Sequence, residues 1–439
     1  MTATAALAEL ARDAVPGPPP GPRIGGRVLA YDGLTIDCTG LASRVGAICS
    51  VGSQHIPAEV IGFRDGRTLL MGLAQPGALL PGAAVLPLAD AARVSVGEAL
   101  LGRILDGGGR PLDGGPVPRT ETRVPLDPPA INPLRRSAVR EVLDCGVRTI
   151  NALLTLGRGQ RVGIMAGSGV GKSVLLGQIA RYSAAQVVVV ALIGERGREI
   201  GDFVASQLDA KSRARTLVIA VAADDAPLLR VRGVMRAHAV AEHFRAQGRH
   251  VLLIVDSLTR VAHAQREIGA ALGEGLGARG YPPSAIGLLP RLVERAGNDA
   301  ETGGSVTAIY TVLADGDDMN DPVVDAARGV LDGHIVLSRA TAQLGIYPAI
   351  DIAASVSRSM HDLVEPSHAA AAAKFRRAQA LIDANRDLVL MGAYAPGHDA
   401  ALDAALSARE AMEAFRTQPR SERAGFAASV AALHAAVPG

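Results

Sequence analysis

Short hydrophobic stretches separated by turns form the first part of this chain. Between Arg23 and about Leu88, apolar and polar positions alternate and are interrupted by Gly, Pro and Asp residues. Several short strands at such a spacing are typical of a small β-barrel or sandwich. The predicted strands are Gly26–Tyr31, Leu34–Asp37, Val45–Cys49, Ala58–Phe63, Thr68–Leu73 and Ala84–Leu86.

The hydrophobic pattern changes between Arg140 and Arg358. Short runs that are apolar at nearly every position alternate there with helical segments. Strands buried on both faces and followed by helices are typical of a parallel sheet in an α/β domain. The clearest runs are Val162–Met165, Val187–Ile193, Thr216–Val221, His250–Val255 and Ser305–Leu313.

Helical and proline-rich segments flank these two regions. The first fifteen residues predict a short Ala-rich helix, and Pro16–Pro22 predicts a linker because proline interrupts regular structure. Pro111–Pro133 is again proline-rich and fits an inter-domain connection. From Ser359 to Val437 the chain is Ala-rich and helical, with breaks near 395–397 and at Pro419.

Composition narrows the class of protein. Hydrophobic residues make up 48% and charged residues 20% of the 439 residues, so the chain can bury large cores. The 45 Lys and Arg residues nearly balance the 43 Asp and Glu residues, which argues against a chain-wide electrostatic attraction to nucleic acid. Aromatic residues amount to 3% and Trp is absent, so platforms for stacking bases are scarce.

Cysteine content and hydropathy indicate the compartment. Cys38, Cys49 and Cys145 show no metal-ligand spacing, and we expect buried or neutral thiols in a reducing environment. There is no run of about 18 apolar residues that would predict a transmembrane helix. The N-terminus lacks the basic segment of a secretory signal. We therefore expect a soluble cytosolic protein.

A phosphate-binding loop is predicted at Ala166–Ser173, which matches the Walker A pattern with Ala in its first position. Glycines let the backbone curl so that successive N–H groups face phosphate oxygens. Lys172, one of only three Lys in the chain, reaches the β- and γ-phosphates, and the Ser173 hydroxyl holds Mg²⁺. The residues predicted to bind the nucleotide are Gly167, Ser168, Gly169, Val170, Gly171, Lys172, Ser173 and Val174.

Two carboxylates are predicted at the same edge of the sheet. Asp256 follows the apolar run His250–Val255, at the carboxyl edge where open α/β sheets bind ligands, and we expect it to orient Mg²⁺. Glu195 and Glu199 follow the run Val187–Ile193, and both are candidates for the general base that polarises the attacking water. Glu195 lies nearer to the end of the strand and is the favoured candidate.

Nine segments in the same order resemble the rotary-ATPase superfamily, and most densely the flagellar type III export ATPases, also called flagellum-specific ATP synthases. The resemblance extends over about residues 25–390. The segments are 146–153, 157–177, 192–200, 280–284, 289–297, 310–321, 331–339, 347–351 and 355–358.

This resemblance implies the fold and the domain organisation. It implies an α/β protein whose P-loop core, of RecA type with a parallel sheet, extends over 93–360. A small β-barrel is expected at 23–92 and a C-terminal helical domain at 361–439. Residues 1–22 would form an N-terminal helix and a linker.

The resemblance also implies further site residues. Glu195 resembles the family's catalytic carboxylate, and Arg196 resembles the adjacent arginine near the phosphates. Arg260 matches an arginine that approaches the γ-phosphate. Arg358 resembles the arginine finger that is offered to the neighbouring subunit's nucleotide, and Tyr347 resembles the tyrosine that stacks on adenine.

The function implied by the resemblance is hydrolysis of MgATP to ADP and phosphate at the subunit interfaces of a hexameric ring, which energises protein export. ATP and Mg²⁺ are the expected cofactors, and no nucleic acid is expected. The expected partners are a dimeric regulator at the N-terminal helix, a coiled-coil central stalk protein, export substrates with their chaperones, and a membrane export gate. The protein would associate peripherally with the inner face of the cell membrane.

The sequence departs from the family's pattern at two places. Cys145 stands where the family has Thr, and Ile268–Leu276 departs from the family's pattern before a pore loop.

Other functions stay open at this point. A virulence-type secretion ATPase is the nearest alternative. Remoter alternatives are a proton-coupled ATP synthase catalytic subunit, a non-enzymatic nucleotide-binding subunit and a hexameric RNA helicase, which would need basic and aromatic residues that 23–90 scarcely offer.

Overall fold

The computed structural model describes residues 25–74, 77–88, 92–129, 131–167, 169–313 and 321–437. The predicted N-terminal helix and linker lie outside the described residues, and so does Ser168 of the predicted phosphate loop. An N-terminal barrel, a central sheet with helices and a set of C-terminal helices follow one another, which confirms the predicted fold class. The domain limits at 22, 92 and 360 stay predictions.

Six short strands close into the N-terminal barrel. They are β1 (Gly26–Tyr31), β2 (Thr35–Thr39), β3 (Ile48–Val51), β4 (Ile56–Arg64), β5 (Arg67–Gly72) and β6 (Ala84–Pro87). Neighbours pair antiparallel in the order β1-β2-β5-β4-β3-β6. Inward side chains such as Ile36, Val60 and Leu70 are fully buried, and a bulge between Val60 and Gly62 helps the small sheet to bend and close. Of the two predicted architectures, the barrel is the one formed.

A two-stranded ribbon connects the barrel to the central sheet. β7 (Arg93–Val96) pairs antiparallel with β9 (Thr122–Pro125), and β8 (Ile104–Leu105) joins the edge of the central sheet. The predicted connection Pro111–Pro133 therefore contains a strand. Its pairing partner lies about 30 residues earlier in the chain, so the local sequence pattern did not reveal it.

The central sheet is mostly parallel. Besides β8, its strands are β10 (Arg161–Ala166), β11 (Val187–Glu195), β12 (Thr216–Ala222), β13 (His250–Asp256), β14 (Gly297–Asn298), β15 (Ser305–Leu313), β16 (Gly333–Leu337) and β17 (Ile350–Ser357). The order across the sheet is β17-β16-β10-β15-β13-β11-β12-β8, with β14 beside β15. Among the described strands of this sheet, β14 and β17 run antiparallel. All five runs predicted as buried strands belong to it.

Helices cover both faces of this sheet, which explains why its strands are apolar at nearly every position. In β11, Val187 and Val189 belong to one hydrophobic core, whereas Val188 and Val190 belong to another. The helices of this region are α1 (Arg148–Leu153), α2 (Lys172–Tyr182), α3 (Gly197–Ser206), α4 (Ala210–Ala214), α5 (Pro227–Ala246), α6 (Leu258–Ala271), α7 (Pro283–Val293), α8 (Pro322–Val330) and α9 (Arg339–Gln343).

The last part of the chain is helical, as predicted. The helices are α10 (Met360–Leu363), α11 (Pro366–Ala384), α12 (Arg386–Leu390), α13 (Ala400–Ser407), α14 (Arg409–Arg416) and α15 (Phe426–Ala436). Hydrogen bonds connect them to the sheet region: His368 Nε2 donates to the carbonyl of Ala152 at 2.7 Å, and the N–H of Gln418 donates to the carbonyl of Tyr347 at 2.7 Å. No helix in the described ranges is long and apolar enough to cross a membrane.

The cysteines are buried free thiols, as expected from the sequence. Burial raises the pKa of Cys38 and of Cys49 to about 11 and that of Cys145 to about 12. Because the thiolate is the reactive form, these side chains act as core residues at neutral pH.

Candidate active site

The predicted phosphate loop joins β10 to α2 at the carboxyl edge of the sheet. Gly169 and Gly171 have φ angles of 79° and 89°, which residues with a Cβ rarely adopt. Helix α2 begins at Lys172, so the free N–H groups of its first turn lie at the end of the loop. Val170 is buried and packs into the core of the domain. The described residues of the loop thus have the backbone shape and the free N–H donors that a phosphate-binding loop requires.

Two carboxylates meet the ammonium group of Lys172. Glu195 is the last residue of β11 and Asp256 is the last residue of β13, and these strands are neighbours in the sheet. The Nζ of Lys172 donates to Oε1 of Glu195 at 3.3 Å and also to Oδ1 of Asp256. The three side chains are between 4% and 13% exposed. The structure therefore brings together the lysine and the two acids predicted for one site.

Burial and neighbouring charges shift the pKa values of Glu195 and Lys172. Burial raises the pKa of Glu195 to about 7, and the Asp256 carboxylate adds to this rise while the Lys172 ammonium opposes it. Burial lowers the pKa of Lys172, but the two carboxylates outweigh burial and leave that pKa above its ordinary value. A lysine that stays cationic beside a carboxyl group that titrates near neutrality suits a site that binds phosphate and positions water.

A hydroxyl group that holds Asp256 was missed from the sequence. Thr311 lies in β15, which separates the phosphate-loop strand β10 from β13, and its side chain is fully buried. Its Oγ1 donates to Oδ1 of Asp256 at 2.6 Å. The signal that could have revealed it is a hydroxyl residue near the carboxyl end of the apolar run Ser305–Leu313, at the edge where ligands bind.

The predicted arginines Arg260 and Arg196 are placed differently. Arg260 lies in α6 against Gly194, where an added Cβ would be 2.9 Å from the Cβ of Arg260. The Nε of Arg260 is buried without a hydrogen-bond partner among the described residues. The Arg196 side chain is 80% exposed and pairs with Glu199 at 3.8 Å. Arg260 therefore lines the strand end that carries Glu195, whereas Arg196 extends into solvent.

Ser173, Val174 and Tyr347 lie around the phosphate loop. Ser173 and Val174 belong to the first turn of α2, and Ser173 is exposed. Two ring carbons of Tyr347 are 3.6 Å from the position that a Cβ on Gly171 would take. Because Tyr347 is 45% exposed, much of its ring is open to a ligand beside the loop.

Arg358 is not brought together with Lys172 of the same chain. β17 runs antiparallel to β16, so it begins at the edge that carries the phosphate loop and ends at the opposite edge. Arg358 directly follows β17, and its N–H donates to the carbonyl of Asp332 at 3.0 Å. Strand β10 runs from one of these edges to the other, and its six residues span about 17 Å at about 3.3 Å per residue.

The donor groups at this edge fit Mg²⁺. Ser173 offers a hydroxyl oxygen and Asp256 a carboxylate oxygen, which are the hard ligands that Mg²⁺ prefers. Mg²⁺ in nucleotide sites is held by one or two protein groups, with substrate phosphates and water completing its shell. Two protein oxygens beside a phosphate loop are therefore a sufficient set.

Comparisons with known proteins agree with this geometry. The model of the nucleotide-binding domain of the ATP synthase alpha/beta family matches residues 146–357, and that of the C-terminal domain of the type III secretion ATPase EscN matches residues 364–435. The flagellum-specific ATP synthase of Salmonella typhimurium is 51% identical over 95% of this chain and 95% of its own length. The type 3 secretion system ATPase of Pseudomonas syringae is 44% identical over 91% of both chains.

Solved structures show the same fold. The assembled ATPase EscN from the type III secretion system of enteropathogenic E. coli has a TM-score of 0.89 at 38% identity, and the match covers 94% of this chain and 99% of that chain. EscN in complex with its central stalk EscO has a TM-score of 0.87 at 37% identity, with the same two coverages.

The phosphate loop with its two acids, on a parallel sheet between a barrel and a helical region, defines a P-loop ATPase of the rotary type. The chain belongs to the ATP synthase alpha/beta family, and within it to the flagellum-specific ATP synthases, which are flagellar type III export ATPases. Its activity is ATP hydrolysis.

Proposed function

We propose that the site binds MgATP with a set of residues from the phosphate-loop edge. The main-chain N–H groups of Gly167–Gly171 and the ammonium of Lys172 hold the phosphates. Ser173 and Asp256 hold Mg²⁺, which supplies positive charge to the phosphate oxygens when it is bound. Tyr347 stacks on the adenine, an assignment supported by its open ring beside the loop.

In the chemical step Glu195 accepts a hydrogen bond from the attacking water and aligns it with the γ-phosphorus. Arg260 stabilises the negative charge of the transferring phosphoryl oxygens from the same strand end, and Arg196 reaches the phosphates when its exposed side chain turns inwards. The observation that carries this proposal is the contact of the Lys172 ammonium with both Glu195 and Asp256 at the end of the phosphate loop.

Arg358 acts on the nucleotide of the neighbouring subunit in a hexameric ring. Its position at the edge opposite its own phosphate loop supports action in trans, because about 17 Å of strand separates it from Lys172. A guanidinium group that reaches a desolvated phosphoryl group contributes about 10³-fold or more in rate. The similar ATPase EscN forms an assembled ring, which supports the same arrangement for this chain.

Hydrolysis energises flagellar type III protein export. EscN binds a central stalk protein, EscO, and a corresponding coiled-coil stalk protein would contact the ring of this chain. A dimeric regulator at 1–22 and export substrates with their chaperones at 361–439 complete the set of partners. Together they would place the ring below a membrane export gate, at the inner face of the cell membrane.

Two substitutions test the assignment of the water-positioning group. Glu195→Gln keeps the size of the side chain and removes its charge, so it should bind a fluorescent ADP analogue and lose ATP turnover by at least about 100-fold. Glu199→Gln, at the other candidate, changes a side chain that is 42% exposed and should keep most of the turnover. Turnover that survives Glu195→Gln and is lost in Glu199→Gln would transfer the role to Glu199.

A further inference from the structure

The main chain of Arg358 is held by Asp332. The N–H of Arg358 donates to the Asp332 carbonyl at 3.0 Å, at the point where β17 ends and β16 begins. The next residue, Gly333, allows this close packing, because a Cβ there would lie 2.5 Å from the carbonyl oxygen of Val356. The position of the arginine along the edge of the sheet therefore depends on the position of Asp332.

Asp332 is in turn clamped by Arg161. The main-chain N–H and the Nε of Arg161 each donate to Oδ2 of Asp332 at 3.0 Å, and Nη2 donates to Oδ1 at 3.1 Å. The N–H of Asp332 donates to the carbonyl of Arg161 at 2.8 Å. The remaining amino group, Nη1 of Arg161, donates to Oε1 of Glu294 at 2.6 Å. A planar guanidinium that bonds both carboxylate oxygens fixes the direction of its partner as well as its distance.

A buried amide adds a second brace at the same place. The Nε2 of Gln160 donates to the Asp332 carbonyl at 3.4 Å and to Oγ of Ser357 at 3.2 Å. The Ser357 hydroxyl donates to the carbonyl of Thr155 at 2.8 Å. Gln160 is fully buried, so this brace is shielded from water. The residue before Arg358 is thereby fixed by side chain and main chain.

The guanidinium group of Arg358 is held much less firmly than its main chain. The side chain is exposed, and Nη2 lies 3.5 Å from the carbonyl of Arg328. A fixed main chain with an exposed and loosely held guanidinium group suits a residue that must reach across to another subunit. Arg161, which fixes the main chain of Arg358 through Asp332, is the first residue of β10. The other end of β10 leads into the phosphate loop.

We propose that Asp332, clamped by Arg161, is a positioning residue for the arginine finger Arg358. The inference rests on the proposed function, in which Arg358 acts on the neighbouring nucleotide. Displacement of a reacting group by about 1 Å can cost about 100-fold in rate. Loss of the clamp should therefore impair the finger without impairing the phosphate loop of the same subunit.

Uniform rings give the first measurement. Asp332→Asn keeps the shape of the side chain and weakens the clamp, so kcat should fall about 10- to 100-fold. The affinity for a fluorescent ADP analogue and the KM for MgATP should stay within about twofold, since Lys172 and its loop are untouched. The matched control is Asp127→Asn, which breaks an exposed ion pair with Arg291 (2.7 Å) and should leave kcat unchanged.

Mixed rings give the decisive measurement. Glu195→Gln subunits lack turnover in their own sites and carry an intact finger, whereas Arg358→Ala subunits lack the finger and keep an intact site. Equal mixtures of these two variants, assembled together, should regain activity at least about tenfold above either alone, because one interface type is complete. Asp332→Asn mixed with Glu195→Gln should also regain activity, about 3- to 25-fold above Asp332→Asn alone, because about one interface in four then combines an intact site with a well-positioned finger.

The outcomes separate the two levels of the proposal. If Arg358→Ala and Glu195→Gln fail to complement each other, the action of Arg358 in trans is wrong and the inference about Asp332 fails with it. If they complement each other and Asp332→Asn does not complement Glu195→Gln, Asp332 supports its own subunit's site and only the further inference is overturned. Arg161→Gln breaks the same clamp from the other side, and it should complement in the same way if Asp332→Asn does not fold.

Discussion

Thr311 donates a hydrogen bond of 2.6 Å to the carboxylate of Asp256 across two neighbouring strands. The register of β13 and β15 pairs Val255 with Tyr310, so Asp256 and Thr311 are the next residues along the two strands. A buried hydroxyl that holds one oxygen of a metal-binding carboxylate fixes the orientation of the other. The contact therefore connects β15, which lies between the phosphate-loop strand β10 and the strand β13, to the proposed Mg²⁺ ligand Asp256.

The variant Thr311→Val should lower kcat/KM for MgATP by about 10- to 100-fold, since a hydrogen bond to a charged group contributes about 1.5–3 kcal/mol. It should also raise the Mg²⁺ concentration needed for half-maximal turnover. Thr311→Ser keeps the hydroxyl and should stay close to wild type. Steady-state ATPase assays over a range of Mg²⁺ concentrations check this, and equal activity of the Val and Ser variants would contradict it.

Gly194→Ala should destabilise the protein and reduce turnover. The φ angle of Gly194 is 72°, and an added Cβ would lie 2.9 Å from the Cβ of Arg260. Backbone strain of this kind costs about 1–3 kcal/mol, and relief of the clash would displace the arginine. Gly201→Ala in α3, where an added Cβ meets nothing within 4 Å, is the matched control. Thermal unfolding should show a lower midpoint for the first variant alone, and equal midpoints would refute this reasoning.

The stability of the protein should decrease in mild acid because of His238. Burial lowers its pKa to about 3, with Arg295 and Arg245 adding to the effect, and Nε2 lies 3.0 Å from the hydroxyl of Tyr310. In the unfolded chain a histidine titrates near 6.5, so the unfolded state binds the extra proton between the two pKa values. The neutral His238 therefore contributes fully to the free energy of unfolding above about pH 6.5. By about pH 5 the free energy of unfolding has decreased by on the order of 2 kcal/mol.

His238→Gln should accordingly flatten the decrease of the thermal unfolding midpoint between about pH 7 and pH 5. His434→Gln, which replaces an exposed histidine in α15, should leave the slope unchanged. Only the slope is compared, because the His238 substitution also removes core contacts. Identical slopes for wild type and His238→Gln would exclude His238 as the source of the acid sensitivity.

Turnover should depend on protein concentration. In the proposed arrangement Arg358 is supplied by the neighbouring subunit, so the specific activity should rise steeply as subunits assemble and should drop on dilution. Arg358→Ala should show low activity at every concentration, with nucleotide binding retained. Specific activity that stays constant while mass measurements show the ring dissociating would contradict a finger supplied in trans.

The sequence predicted those features that depend on neighbouring residues. The phosphate loop is a contiguous pattern, and the strands β11 and β13 are buried on both faces, so their apolar runs are visible without a partner. Glu195 and Asp256 were placed correctly relative to their strands because Asp256 directly follows its apolar run and only Gly194 stands between Glu195 and its run. Parallel strands then bring both carboxylates to one edge.

Contacts between segments that are distant in the sequence could not be predicted from local patterns. Thr311 contacts Asp256 only through the register of β13 and β15, and Arg161 meets Asp332 because β10 pairs with β16. Strand β17 was not predicted as a strand, and its alternation of buried and exposed positions is irregular. Arg358 lies at the opposite edge because β17 runs antiparallel to β16. The direction of a strand relative to its neighbour cannot be predicted from the local sequence pattern.

A crystal structure of the ring with Mg²⁺ and a non-hydrolysable ATP analogue would show whether Nζ of Lys172 and Oδ1 of Asp256 separate when the nucleotide binds. We predict that the terminal phosphates replace the hydrogen bond between these two side chains, with Lys172 on the phosphate oxygens and Asp256 beside the metal. An analogue bound elsewhere, with the Lys172–Asp256 hydrogen bond intact, would contradict it.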